Sequence, residues 1–292
     1  MYNFVFCGNS QLSLGCLDAL YSQNIMPSIV ITSVDKPAGR GLELHESVVA
    51  TWVNAKNIEL ESKNLSKVLL LKPLKISEIT DIIKDENAKK AFDFCLVVSN
   101  GKILPKDFLD IFNSKVLNIH PSDLPLYRGP SPLESQILDG LQNIIVSIMQ
   151  IDEEIDHGSV LHKNCLDISN FKNIDKIEYA AGKLGGESLC SILNNYINNK
   201  IIMQLQEHAR ATFTKKFKKE DGDVTLDIEN NNLEKIYRKF IAFTPWPSVY
   251  FFIKKDDKKI RVKITDMSYD AATNIYKIEK VIEEGKKEKV FN

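Results

Sequence analysis

Up to about residue 200, short apolar runs alternate with stretches of helical periodicity. Residues 2–7, YNFVFC, suit a buried strand, and Gly8-Asn9-Ser10 then turns the chain. Leu12, Leu14, Cys16, Leu17, Leu20 and Tyr21 recur at helical spacing over residues 11–22, and a second strand follows at 28–33. This order is β-α-β, the crossover that a parallel pair of strands requires. Residues 34–46 carry one proline, two glycines and several charges and read as a loop, with a helix expected from about 47 to 56. Between 61 and 90 the pattern is mixed, with an apolar run at 68–71 and a helical stretch after it. Further strands are expected at 93–99, 115–119, 144–151 and 160–165, and further helices at 104–112, 132–140 and 174–198. Such alternation implies an open, mostly parallel α/β sheet. From about residue 210 the pattern changes to short alternating runs, SVYFFI and KIRVKI, broken by charged turns such as KKDDKK. That predicts a smaller β-rich second domain. The division is placed at 1–206 and 207–292, with a linker over 207–219.

Composition narrows the class without choosing a function. The 292 residues are 43% hydrophobic and 26% charged, ordinary values for a globular chain. No segment is apolar over the ~18 residues that a membrane span needs, and the first residues lack the basic-then-apolar layout of a secretory signal. A cytoplasmic protein is therefore expected, without a membrane partner. Five cysteines at scattered positions, with no C-x-x-C, speak for reduced thiols rather than disulfides or zinc. From residue 205 on there are 19 Lys and Arg against 15 Asp and Glu, whereas the preceding part carries 19 against 24. A mildly basic end permits a polyanionic partner and equally suits a solvated surface.

The stretch 117–132, LNIHPSDLPLYRGPSP, carries the chemistry. A strand ends on Asn118 and His120, which are two apart and so leave the same face. A rigid loop of prolines and a glycine follows, at the strand end where open α/β sheets bind ligands. An amide that donates to a developing oxyanion beside an imidazole that exchanges a proton suits acyl transfer. Plainer alternatives remain: a half-buried, satisfied histidine and a strand-end asparagine. Asp156 follows another strand and can orient an imidazole, or it can be a turn aspartate before Gly158. The elements for a serine elbow, a phosphate loop, a dinucleotide fingerprint and a zincin helix are all missing. The histidines at 45, 120, 157, 162 and 208 are too dispersed for a metal site, although His157 and His162 can meet in space.

Taken together, Asn118, His120, Ser122-Asp123-Leu124-Pro125, Tyr127-Arg128-Gly129 and Asp156-His157-Gly158 resemble the folate-dependent formyltransferases. Asp123 stands where that superfamily usually has a leucine. Within it, Asp35–Gly41, residues 211–222, Ala242-Phe243-Thr244-Pro245-Trp246-Pro247 and the closing GKKEKVF resemble the methionyl-tRNA formyltransferase family. The resemblance implies a Rossmann-like catalytic domain followed by a small OB-like β-barrel that binds tRNA. It implies transfer of a formyl group from 10-formyltetrahydrofolate, a co-substrate, to the amino group of initiator methionyl-tRNA. Asn118, His120 and Asp156 would be catalytic, and Ser122, Asp123, Leu124 and Pro125 would line the folate site. Arg40, Lys215, Lys216, Lys218 and Lys219 would face the tRNA. No metal is implied, and a monomer is expected. The competing expectations are an amino-sugar or purine-nucleotide formyltransferase, which changes only the acceptor, and an RNA-binding homologue without catalysis.

Overall fold

Phe4–Gly8 (β1), a run buried at every position, turns through Ser10 into helix α1, Gln11–Ser22. Ser10 caps that helix, its hydroxyl accepting from the Leu12 N–H. This is a computed structural model, and it describes residues 2–38 and 43–291. The chain continues through β2 (Ile29–Ile31), β3 (Lys36–Ala38), β4 (Glu43–His45), α2 (Val48–Ser62), β5 (Leu69–Leu71), α3 (Thr80–Lys89), β6 (Phe94–Val98) and α4 (Lys106–Leu109). Next come β7 (Val116–His120), α5 (Pro132–Leu138), β8 (Asn143–Gln150), β9 (Val160–Asp167) and α6 (Ile174–Ile197). The remainder comprises α7 (Thr225–Glu229), α8 (Leu233–Phe243), β10 (Val249–Lys255), β11 (Lys258–Asp270), β12 (Ile275–Glu283) and β13 (Lys289–Val290).

Seven strands form one sheet in the order β5-β2-β1-β6-β7-β8-β9. The pairs from β5 to β7 are parallel. Alternation sends Val5, Cys7, Ile29, Ile31, Cys95 and Val97 into a cluster with Ile83, Phe108 and Phe112. Phe4 and Phe94, one position out of phase with that set, stack at 4.6 Å. Because both faces are covered, the strands read as continuous apolar runs. Helices α1 and α6 approach so closely that a Cβ on Gly15 would lie 2.1 Å from the Tyr179 carbonyl oxygen, and one on Gly182 1.9 Å from that of Leu12. Only glycine allows this crossing.

Several expectations need correction. Strands β7 and β8 are antiparallel, with Asn118 opposite Met149 and His120 opposite Ser147, so the parallel order of the mostly parallel sheet does not extend past β7. Residues 34–46 are not a bare loop, because β3 and β4 within them pair antiparallel. Lys72 ties the base of that pair, meeting Asp35 and Glu46 at 2.7 Å each. Helix α2 runs on to Ser62, and the helix expected over 104–112 is one α-turn followed by a 3₁₀ turn.

By packing, the chain divides into two compact units. One comprises Met1–Gly129, Ile144–Leu166 and Glu178–Phe213, the other Pro130–Asn143, Asp167–Ile177 and Thr214–Asn292. In the second unit β10, β11, β12 and β13 form a four-stranded antiparallel sheet, with a bulge in β11 between Ile264 and Asp266. Helix α8 buries Ile236, Phe240 and Phe243. Its Tyr237 lies 5.9 and 5.4 Å from the stacked rings of Tyr269 and Tyr276. Neither α7 nor α8 was expected from the strand-like patterning. Among the described residues no helix is long and apolar enough to cross a membrane.

Candidate active site

Strand β7 determines where the chemistry lies. Leu117 and Ile119 are buried, and Ile119 presses on α6 so tightly that a Cβ on Gly185 would meet its side chain at 2.5 Å. By the two-residue period, Asn118 and His120 leave the other face. His120 is 5% exposed, and its Nε2 lies 3.0 Å from the Tyr127 carbonyl oxygen. A carbonyl only accepts, so Nε2 carries the hydrogen of that bond. Nδ1 faces the Asp156 carboxylate at 3.6 Å.

Asp156 arrives by a different route from the one its sequence position suggested. Strand β8 ends beside the start of β7, where the Ile151 N–H donates to the Val116 carbonyl. The chain then makes an excursion over residues 151–159 and comes back to the His120 end. Asp156 sits there in the left-handed region, with φ 48°. Its Oδ1 accepts from the Asn118 amide at 3.4 Å and its Oδ2 from the Gly129 N–H at 2.7 Å. Gly129, at φ 108°, takes a backbone conformation that favours glycine. The structure thus brings Asn118, His120 and Asp156 together. Chemically, the cluster offers an amide donor and an imidazole–carboxylate pair at one strand end.

The four residues expected at the folate site behave differently from one another. Ser122 is fully buried and donates to the Leu126 carbonyl at 2.7 Å, while its own carbonyl accepts from Ser147 at 2.6 Å. Leu124 packs with Met149 and Val160. Asp123 is exposed and meets Lys163 at 2.5 Å. Pro125 is half-buried, and its carbonyl accepts from the Thr212 N–H at 3.3 Å. Lys215, Lys216, Lys218 and Lys219 are all exposed, around a turn that Asp221 closes. Arg40 lies outside the described residues.

Three groups escaped the sequence reading. Lys102 bridges the strand ends, donating to the carbonyls of Thr32 at 2.9 Å and Pro73 at 2.7 Å, and burial holds its ammonium below the usual lysine range. Arg128 had figured only as part of a motif, yet it is 3% exposed and hydrogen-bonded to Gln206 and His208. His157 stacks on His208 at 3.9 Å, a pairing the sequence reading did not raise when it noted that His157 and His162 can meet in space. None of these had a periodic signal to reveal it.

The sequence profile of the formyl transferase family matches residues 3–193. A methionyl-tRNA formyltransferase from Campylobacter lari is 35% identical over 251 residues, 86% of this chain and 77% of the relative. The chain belongs to the methionyl-tRNA formyltransferase family. A solved structure of the family's enzyme from Clostridium thermocellum superimposes with a TM-score of 0.61 at 18% identity, covering 100% of this chain and 99% of that one. HypX from Aquifex aeolicus, solved in complex with tetrahydrofolic acid, shares the fold at a TM-score of 0.61 and 16% identity, over 92% of this chain and 38% of that one. For this family member, then, the Rossmann-like sheet and the C-terminal antiparallel sheet are both family features.

Proposed function

We propose that this family member transfers a formyl group to the amino group of initiator methionyl-tRNA, with 10-formyltetrahydrofolate as donor. The observation that supports it most is the meeting of Asn118, His120 and Asp156 at the end of β7, in a chain whose relatives carry that activity's name.

In this reading the methionyl amine attacks the formyl carbon. The carbonyl oxygen gains charge, and the Asn118 amide donates to it as the tetrahedral centre forms. One proton must leave the amine and one must reach the folate nitrogen when the C–N bond breaks. The His120–Asp156 pair carries that proton from one to the other. Because Nε2 is engaged by Tyr127, the nitrogen that serves is Nδ1, on the Asp156 side. Asp156 accepts from the Asn118 amide through Oδ1, and its Oδ2 faces Nδ1 so as to stabilise the imidazolium once that nitrogen has taken the proton. Residues 122–125 wall the folate side. No metal is called on.

Residues 1–206 act as the catalytic domain in this proposal, and 207–292 as the tRNA-binding part. Arg40 between its two glycines, with Lys215, Lys216, Lys218 and Lys219, contacts phosphates. The protein works as a monomer in the cytoplasm, where its tRNA substrate is charged. Transfer of labelled formyl from the folate to esterified methionine tests the activity, run beside an amino-sugar nucleotide as acceptor. Labelled methionyl-tRNA supports the proposal. Label only on the sugar nucleotide, or none at all despite bound folate, overturns it.

A further inference from the structure

From the geometry around residues 151–159 we infer that Gln206, locked in place by Arg128, is the positioning residue that holds Asp156 in the active site. This rests on the catalytic reading above.

Asp156 needs such a hold. Residues 152–155 ahead of it are exposed, so no apolar packing fixes them. Asp156 itself adopts φ 48°, which is disfavoured for a residue with a side chain. Asp152 meets the His157 ring across the turn at 2.6 Å, and the rest of the restraint comes from distant parts of the chain. Val160 and Gln204 exchange both backbone hydrogen bonds at 2.8 Å, which lays residues 204–206 alongside 158–160. Two residues further on, the Gln206 amide nitrogen donates one hydrogen to the Asp156 carbonyl at 2.9 Å and the other to the Gly158 carbonyl at 2.7 Å. Both donors of a single side chain therefore grip the turn on either side of His157.

The opposite end of the amide is also occupied. Arg128 donates to the Gln206 Oε1 from Nε at 3.2 Å and from Nη2 at 2.7 Å. A guanidinium only donates, so it fixes which end of the amide is oxygen and directs the nitrogen at the two carbonyls. Gln206 is 7% exposed and Arg128 3% exposed, which shields these bonds from water. Arg128 stands one residue before Gly129, whose N–H binds the Asp156 carboxylate. The same loop thus grips Asp156 twice, directly at the side chain and through Gln206 at the backbone. The segment after α6 is consequently part of the catalytic centre and not merely a tether.

Gln206→Glu tests this in the full chain. The carboxylate keeps the size of the side chain and its partnership with Arg128, but it presents oxygen to two carbonyl oxygens. The expected result is kcat lowered about 10- to 100-fold, since misplacement of a catalytic group by about 1 Å has effects of that order. KM for the folate and for methionyl-tRNA should stay within about threefold, and amide hydrogen exchange over residues 152–158 should quicken. In an Asp156→Asn background the same change should lower kcat by no more than about threefold, because its route of action is already gone. Arg128→Lys, which keeps a cation but loses the fork, should act in the same direction and serves as the second variant if Gln206→Glu fails to fold. Unchanged kcat with unchanged exchange overturns the inference. So does a full further loss in the Asp156→Asn background. A wild-type protein that transfers no formyl group would instead overturn the catalytic reading, while the exchange measurement would still report whether Gln206 holds the turn.

Discussion

Strand β7 and the excursion of residues 151–159 bring their side chains to one place by different means. In β7 the two-residue period does the positioning: Ile119 is locked against α6, and Asn118 and His120 then point the other way. The flanking strands β6 and β8 hold the backbone along its length. The excursion has no period and almost no buried apolar side chain. Asp156 is held instead by the Gly129 N–H, the Asn118 amide and the two carbonyl contacts of Gln206. A strand carries its own positional accuracy, whereas a loop borrows it from groups elsewhere in the chain. The strand should therefore reveal its chemistry when the functional group is removed. The loop should respond as well to changes that leave its functional group intact.

Removing the strand's groups should give the largest effects. His120→Ala is expected to lower kcat by roughly 10²–10⁴, the usual worth of a placed acid–base group. Asn118→Ala should lower it by about 10²–10³, as for a lost oxyanion donor. Folate binding by equilibrium titration should change little in either. Near-normal turnover in either variant would remove β7 from the mechanism.

The loop half of the comparison is sharpened by Gly158→Ala, which touches no catalytic group. A Cβ there would lie 1.9 Å from the Gln150 carbonyl oxygen, so the backbone between β8 and β9 must shift. The expected loss of stability is about 1–3 kcal/mol, as for overpacking of a tight site. Turnover should fall by up to about 10², because Asp156 moves with its neighbour. If thermal unfolding shows the loss while kcat stays at the wild-type value, Asp156 does not need the accuracy proposed for it.

The same division explains what the sequence made legible. Strands β1, β2, β6 and β7 announce themselves as apolar runs, and the spacing of Asn118 and His120 already placed both on one face. Asp156 could be marked as a candidate, but its path could not be read. Whether β8 runs parallel or antiparallel to β7 depends on the connection through α5, and no residue type encodes that direction. Gln206 carries no periodic or motif signal, and its role arises only once residues 204–206 lie beside 158–160. Helix α8 was overlooked for another reason. Its apolar positions Ile236, Phe240 and Phe243 follow helical spacing, but they stand between β-branched, charged runs that drew the reading toward strands. In β3 and β4, Lys36, Pro37 and Glu43–His45 are exposed, so the pair lacked the apolar run that marks the sheet strands β1, β2, β6 and β7.

The smallest effect is expected in a second loop held by a single acid, the turn of residues 215–221 that presents Lys215, Lys216, Lys218 and Lys219. Asp221 accepts from the Lys218 backbone N–H at 2.7 Å and meets Lys215 at 3.1 Å. The backbone bond first, and the Lys215 ammonium after it, hold its carboxyl below the usual carboxylate range. A carboxylate depressed on folding stabilises the folded form above its unfolded pKa of about 3.9, and that contribution is lost as pH falls through the lower folded value. Asp221→Asn keeps an acceptor for the Lys218 N–H and removes only the charge. Because the side chain is partly solvated, the charge is worth a few tenths of a kcal/mol at about pH 6, a shift of about 1 °C in Tm. Wild type should therefore melt slightly above the variant at pH 6, and the gap should close as the pH is lowered below about 4. A gap of the same size at both ends of that range would mean that the turn is held by its backbone alone, as a loop needing no borrowed group.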